Sequence, residues 1–320
     1  VAGEHTGPAI VISFALAAIA CALAGLCYAE FASMLPVSGS AYTYSYFTMG
    51  ELVAWVIGWD LVLEYAVASV AISISWSKYF SIMMSDIGYA IPVEWTACPA
   101  EGGVFNLPAA LLVVLLSVIL MRGTAGSSKF NDFMVTLKIA VVLAFIVIGF
   151  KYINTDNLTP FIPQNTGVFG QYGWSGILRG AAIVFFAYIG FDAVSTAAQE
   201  TKNPRRNMPI GILGSLIICS ILYMVFSFVM TGVVDYHAYI GAESIAPAAT
   251  AVAHMGPVGP DGVVAPAFPW LNRGIIVAIL LGYASVVLVM MLGQSRVFYS
   301  MSKDGLLPPI FSHLHKRFHT

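Results

Sequence analysis

Four ionisable residues interrupt stretches that are otherwise apolar: Asp60, Glu64, Lys138 and Asp192. A charge inside a bilayer is expensive, so such residues face a cavity or a partner and mark ion or substrate paths. Glu64 shares one helical face with Ala68, Ala71 and Ser75, whose small side chains allow close packing or leave room for a cavity. A carboxylate there either holds an ammonium group or stays protonated against a neighbouring carbonyl. Asp60, one turn nearer the cytoplasmic end, is also consistent with hydration at the interface. Lys138 either snorkels back toward the cytoplasm or is a buried amine. A buried amine that gains and loses a proton is the chemistry a proton-coupled machine needs.

The run Phe185-Phe186-Ala187-Tyr188-Ile189-Gly190-Phe191-Asp192 is the most informative. Glycine weakens a helix, and aspartate competes for backbone hydrogen bonds. A Gly-x-Asp at mid-membrane therefore predicts a broken helix. Irregular backbone is tolerated there only where protein or a watery cavity surrounds it, and half-helix ends at that depth bind zwitterions and ions. The alternative is an intact helix whose glycines, Gly176, Gly180 and Gly190, serve packing.

The elements that must position these residues follow from composition. Of 320 residues, 59% are hydrophobic and 9% charged, with a net charge of -2. An average soluble domain carries about 25% charged residues. A soluble globular protein, a disordered chain and a nucleic-acid binder are excluded, and an all-α polytopic membrane protein remains. Seven apolar segments, 9–34, 51–85, 107–121, 133–150, 177–199, 210–233 and 275–301, form one transmembrane domain over 1–320. The second is long enough that it must tilt strongly or begin as a surface helix.

Basic residues orient the spans. Alternate turns collect Arg122, Lys129, Lys202, Arg205, Arg206, Arg296, Lys303, Lys316 and Arg317 on one side, and Lys78, Lys151, Arg179 and Arg273 on the other. The first side is cytoplasmic, so the chain starts outside and ends inside. The outer loop 235–272 carries a stretch, 246–255, that reads as a short amphipathic helix over an entrance or as a plain surface connection. Cys21, Cys27 and Cys219 lie in apolar segments and Cys98 in a polar loop, so no disulfide and no metal site are expected. The chain opens on Val1 and closes on a polar stub, 308–320, and reads as the middle of a longer protein.

The residues together resemble the amino acid–polyamine–organocation (APC) superfamily, close to cationic amino acid transporters and their bacterial homologues. The motifs run in the family's order: Cys27-Tyr28-Ala29-Glu30-Phe31, Pro36, Ser38-Gly39-Ser40-Ala41-Tyr42, Gly58-Trp59, Leu63-Glu64-Tyr65, Phe186 to Asp192, Glu200 with Asn203-Pro204 and Pro209, Gly293-Gln294-Ser295-Arg296, and Met301 to Pro308. The resemblance covers the whole sequence. It implies a LeuT-type fold of two inverted five-helix repeats, with these spans as helices 2 to 8, and an integral multi-pass protein of a bacterial plasma membrane. It implies secondary active transport of an amino acid, by proton symport or exchange, with the proton and the bilayer as partners and no cofactor. Without helix 1 the sequence lacks half of the family's substrate site.

The same resemblance implies roles. Phe186, Ala187, Tyr188 and Ile189 would line the pocket, their carbonyls receiving the substrate ammonium, with the Phe186 ring as a gate. Asp192 would stabilise the break, and Glu64 would add charge nearby. Lys138 would put its ammonium where sodium sits in sodium-coupled relatives, making the proton the coupling ion. Tyr283, between Gly282 and Ala284, would shape the side-chain end of the pocket. The 200–209 loop would be structural, and Arg296 with Asp304 would form an inner gate or an ordinary interfacial pair. Two other classes compete. A seven-helix retinal-type receptor fits the span count, but the last span has no lysine between Arg273 and Arg296. An intramembrane aspartyl protease would use Asp60 and Asp192, but its paired motifs are absent. The substrate stays open between a cationic and a small neutral amino acid.

Overall fold

The computed structural model describes residues 1–35, 37, 39–99, 102–121, 124–240, 247–256 and 269–313. The motif residues Pro36 and Ser38 lie outside them, as do Lys316 and Arg317. Among the described residues the helices are α1 (Ile10–Met34), α2 (Ser40–Met49), α3 (Glu51–Asp86), α4 (Leu107–Met121), α5 (Thr124–Gly149), α6 (Gly173–Val184), α7 (Pro204–Val233), α8 (Pro247–Ala253) and α9 (Pro269–Lys303). Six helical stretches are long and apolar enough to cross a membrane, and α4 is a shorter apolar helix. Fifteen residues in α4 reach ~22 Å, short of a ~30 Å hydrocarbon core.

The long second segment is one continuous helix of 36 residues. A separate helix, α2, precedes it, and the sequence reading had no element there. Gly39 and Gly50, both at positive φ, cut α2 off at either end. Asn203 also takes a positive φ, which turns the chain into α7 at Pro204, a favoured first helical residue. The outer-loop helix runs from Pro247, and buries Ala248, Ala251 and Val252.

Contacts divide the chain into two units. The first comprises Val1–Gly25, Ile139–Ile189 and Leu213–Val277. Here α6 packs through glycines on the helical turn at 2–6 and on the first turn of α1. A Cβ at Gly180 would stand 2.3 Å from Thr6 Cγ2, and one at Gly176 would stand 2.0 Å from the His5 carbonyl oxygen. Ser13 donates to the Ile177 carbonyl at 2.9 Å across the same contact. Phe145 and Phe226 stack in tilted geometry, centroids 4.7 Å apart, where α5 meets α7.

The second unit comprises Leu26–Lys138, Gly190–Ile212 and Ala278–Thr320. Its α3 and α9 run antiparallel: Gly58 packs on Met301, Gly293 on the Tyr65 ring, and Trp76 Nε1 donates to the Leu280 carbonyl at 3.0 Å. Leu112 and Leu116 of α4 fill in against Val287 and Leu288. Tyr44 of α2 packs with Ala32, Met208 and Ile212, and stacks on Phe31. The buried Tyr42 donates to Asp304 at 2.8 Å; burial and that carboxylate both push the phenol above its usual range. Arg296 donates to the Thr196 carbonyl at 3.1 Å, so these two residues of the expected inner gate each reach a different helix segment.

The glycines divide into packing and non-packing positions, and the difference is measurable. Gly176→Ala forces a Cβ into the His5 backbone and should destabilise by about 1–3 kcal/mol. Gly214 of α7 has nothing within 4 Å of its would-be Cβ, so Gly214→Ala should stabilise by about 0.5–1 kcal/mol through helix propensity. Thermal unfolding in detergent should move in opposite directions for the two variants.

Candidate functional site

The fifth span is not a continuous helix. The α-helical turns end at Val184, a 3₁₀ turn covers Phe185–Tyr188, and Ile189 is extended at φ -54°, ψ 131°. Gly190 follows at φ +112°, a conformation other residues rarely adopt, and 3₁₀ geometry resumes over Ala193–Glu200. The break falls within Tyr188–Asp192, as the Gly-x-Asp pattern predicts. Gly176 and Gly180 serve packing, so the two readings of the glycines apply to different positions of the same segment.

On the first unit's side of the break, Phe186 is 45% exposed and Ala187 is exposed, whereas Tyr188 is buried. The Tyr188 hydroxyl donates to the Phe14 carbonyl at 3.1 Å, and its ring meets Tyr223 edge-on, centroids 5.4 Å apart. Tyr223 donates to the Ala187 carbonyl at 3.1 Å, and the Ile189 amide donates to the Phe186 carbonyl at 3.3 Å. Each of these carbonyls keeps a second lone pair. Tyr188 is therefore tied into the unit by its side chain, while Phe186 and Ala187 present theirs. A cavity of about 280 Å³ lies close by, lined by Phe14, Val184, Ser227, Met230, Thr231 and Tyr239 among others.

In the second unit, Asp192 is 4% exposed and both carboxylate oxygens are engaged. Oδ1 accepts from the Gly190 amide at 3.2 Å, and Oδ2 accepts from the Tyr65 hydroxyl at 2.6 Å. The Asp192 carbonyl accepts from Ser195 Oγ at 2.5 Å and, more distantly, from Ser40 Oγ at 3.4 Å. Ser40 is fully buried and itself at φ +53°. Tyr28 meets the Phe191 ring edge-on. Half-buried Glu64 precedes Tyr65 and lies within electrostatic reach of Asp192.

Lys138 lies at another level of the same unit. Its Cδ is 3.5 Å from where a Cβ would stand on Gly282, next to Tyr283, and Tyr283 meets Tyr79 edge-on at 5.9 Å. The break touches α9 lower down, where Met290 Cε comes within 3.1 Å of a Cβ placed on Gly190. Eight residues separate Gly282 from Met290, about 12 Å of helix. The unit thus gathers Asp192, Glu64 and Tyr65 at one level, and Lys138 and Tyr283 at another. Asp60 is exposed.

Tyr65 and Ser40 take part here although neither has a role expected from its residue type and spacing. Both stand inside quoted motifs, Leu63-Glu64-Tyr65 and Ser38-Gly39-Ser40, and that is the signal that could have found them. A tyrosine one residue from an intramembrane carboxylate is a hydrogen-bond donor close to where one is needed.

This architecture is that of a multi-pass membrane protein with one spanning helix broken near its middle. The family model described as amino acid permease matches residues 1–320, and the chain belongs to that family, one of permeases rather than enzymes, with its LeuT-type all-α fold. It is 44% identical over 318 residues to the branched-chain amino acid permease BcaP of Bacillus subtilis (strain 168), covering 98% of this chain and 64% of the relative. It is 42% identical over 322 residues to the methylthioribose transporter of the same organism, covering 100% and 65%. It is 36% identical over 323 residues to the vacuolar cationic amino acid transporter 4 of Arabidopsis thaliana, covering 99% and 50%. The chain spans about two thirds or less of the length of these relatives.

The Tyr65–Asp192 bond is open to a double-mutant cycle. Removing either partner leaves a buried polar group short of a bond, at roughly 1–3 kcal/mol. Tyr65→Phe, Asp192→Ala and the double variant should therefore show a coupling energy of about 1–3 kcal/mol in thermal unfolding. Additive losses would mean that the two side chains do not depend on each other.

Proposed function

We propose that this protein is a secondary transporter that carries an α-amino acid across the membrane by alternating access, coupled to protons. The observation that carries the reading is the interrupted helix at Phe185–Asp192, with its turn capped from within by Asp192. Irregular backbone at such a depth offers dipoles to a zwitterion, and family membership supports the amino acid class. In this reading Phe186, Ala187 and Ile189 line the substrate position, and the exposed Phe186 ring closes over the bound substrate. Tyr188 holds the segment in place through Phe14. Asp192 and Glu64 stabilise the break.

Lys138 is the proposed coupling residue. It is a cation within a spanning helix, and its stem rests on Gly282 of α9 beside Tyr283. In the whole protein, Lys138→Ala should abolish uptake driven by a pH gradient while leaving exchange of substrate measurable. Unchanged gradient dependence in proteoliposomes would sink the coupling role.

For the substrate, we favour a neutral aliphatic amino acid over a cationic one. Asp192 is buried and already holds the Gly190 amide and the Tyr65 hydroxyl, which leaves it poorly placed to pair with a guanidinium or ammonium side chain. The relative at 44% identity is named for branched-chain amino acids. Competition assays with alanine, valine, leucine, lysine, arginine and methylthioribose should show inhibition by the neutral amino acids. Strong inhibition by arginine or lysine would overturn the preference, and inhibition by methylthioribose alone would overturn the amino acid class. Phe186→Ala should weaken apparent affinity for the winning substrate by roughly tenfold, the scale of one lost aromatic contact.

A further inference from the structure

The short helix α4 is followed directly by Arg122 in the sequence. An arginine beside a span holds that end at a membrane surface. From there the ~22 Å of α4 stops about 8 Å short of the other edge of a ~30 Å hydrocarbon core, and any tilt widens the gap. The helix is not sheltered inside its unit, since Leu107, Leu111, Val114 and Leu115 are all exposed. Whatever occupies the missing depth must be apolar outside and satisfied in its backbone. The chain just before α4 has both properties. Val93, Trp95, Val104 and Phe105 are 59%, 48%, 70% and 50% exposed. They are neighbours, because the Glu94 carbonyl accepts from the Val104 amide at 2.9 Å and from the Phe105 amide at 3.1 Å. The patch continues through Leu107 onto the exposed apolar face of α4. Glu94 is the only charge among residues 87–99 and 102–106.

The backbone of this segment looks after itself. The Trp95 amide donates to the Pro92 carbonyl at 3.1 Å, Ala97 to Val93 at 3.1 Å and Gly103 to Cys98 at 3.0 Å. The first turn of α4 is closed in the same way. Leu107 donates to the Phe105 carbonyl at 3.1 Å, Pro108 has no amide hydrogen, Ala109 donates to Asn106 Oδ1 at 3.1 Å and Ala110 to the Asn106 carbonyl at 3.2 Å. Asn106 Nδ2 in turn donates to the Thr96 carbonyl at 2.7 Å. A helix that begins in water can leave its first amides to solvent, whereas one that begins inside a bilayer must satisfy each of them. We propose that this segment folds back into the leaflet remote from Arg122, with Val93, Trp95, Val104 and Phe105 seated where lipid headgroups meet acyl chains. An apolar face lying in that boundary enters by about 5–10 Å, which matches the ~8 Å that α4 leaves unfilled. An indole such as that of Trp95 is favoured at the same level, and the Glu94 carboxylate stays among the headgroups. The proposal concerns lipid alone and does not depend on the substrate or coupling reading.

Spin labels test it in the whole protein reconstituted in liposomes, with Cys21, Cys27, Cys98 and Cys219 replaced. Val93→Cys, Val104→Cys and Phe105→Cys are labelled one at a time. Leu115→Cys of α4 is the lipid control, and Asp156→Cys, on an exposed polar turn, is the water control. Collisions with oxygen, which concentrates among acyl chains, are compared with collisions with a water-soluble nickel chelate. Labels at 93, 104 and 105 should all favour oxygen, as at 115, while the label at 156 favours nickel. A preference for nickel at any of the three would overturn the proposal. Few collisions with either reagent would mean that protein covers the patch, a second copy or another part of the chain, and would overturn it as well. Unlabelled protein guards against a segment displaced by the label. Under hydroxyl radicals in the same liposomes, Phe105 should oxidise at least tenfold more slowly than Phe169, although their exposures, 50% and 77%, differ by less than twofold. Matching rates at the two rings would place Phe105 in water, and the proposal would fail.

Discussion

A backbone that stops being helical inside a bilayer must find a partner for every amide and carbonyl it frees. The turn at Gly190–Asp192 answers that constraint with its own aspartate and with three further residues of the second unit. Asp192 caps the Gly190 amide with one oxygen, Tyr65 of α3 donates to the other, and Ser40 and Ser195 address the carbonyl. The bond between Tyr65 and Asp192 is the one that fixes the turn to a long helix. A carboxylate hydrogen-bonded by a phenol and an amide is also far cheaper to bury than an isolated one. The break, its aspartate and the tyrosine are thus one device, and each would be a liability without the others.

The remainder of the second unit keeps that device in register. Gly293 lets the Tyr65 ring lie flat against α9, and Gly58 admits both Met301 and the ring of Tyr42. Small residues at a crossing bring helices close where dispersion, rather than a hydrophobic effect, drives association. The α2 helix adds a further tie. Its first residue, Ser40, points at the break, and Tyr42 two positions later bonds to Asp304 just past the end of α9. Ser40 adopts a left-handed backbone to do so, a strain that persists only where the surroundings over-determine it.

Much of this was legible in the residues. Six of the seven apolar runs coincide with helices long and apolar enough to cross a membrane, and a glycine two residues before an aspartate named the break. What could not be read was pairing. No rule of spacing joins Tyr65 to Asp192, since the two are 127 positions apart and only the antiparallel path of the helices brings them together. The helix α2 escaped because its pattern is neither apolar nor cleanly periodic. Its Tyr42, Tyr44, Tyr46 and Phe47 face different neighbours, and glycines at its ends make it read as loop. Tyr188 was placed with the pocket residues by its motif, yet its side chain turns inward to Phe14, because a broken helix no longer alternates its faces with a helical period.

The two levels along α9 bear on how a proton and a substrate could influence each other. Lys138 meets α9 at Gly282 and the break meets it at Gly190 against Met290, contact points about 12 Å apart along the helix. Two unit charges at that separation interact by roughly 1.4 kcal/mol at an effective dielectric of about 20. An interaction of that size between two such levels changes an equilibrium by about tenfold when one charge is gained or lost. Moving a two-state equilibrium from 1:99 to 99:1 takes about 5.5 kcal/mol. Charge alone falls short of that by several kcal/mol. The difference must come from packing that exists in one state and not the other, and α9 is where it can arise, since that helix meets one level at its own Gly282 and the other through Met290 against Gly190.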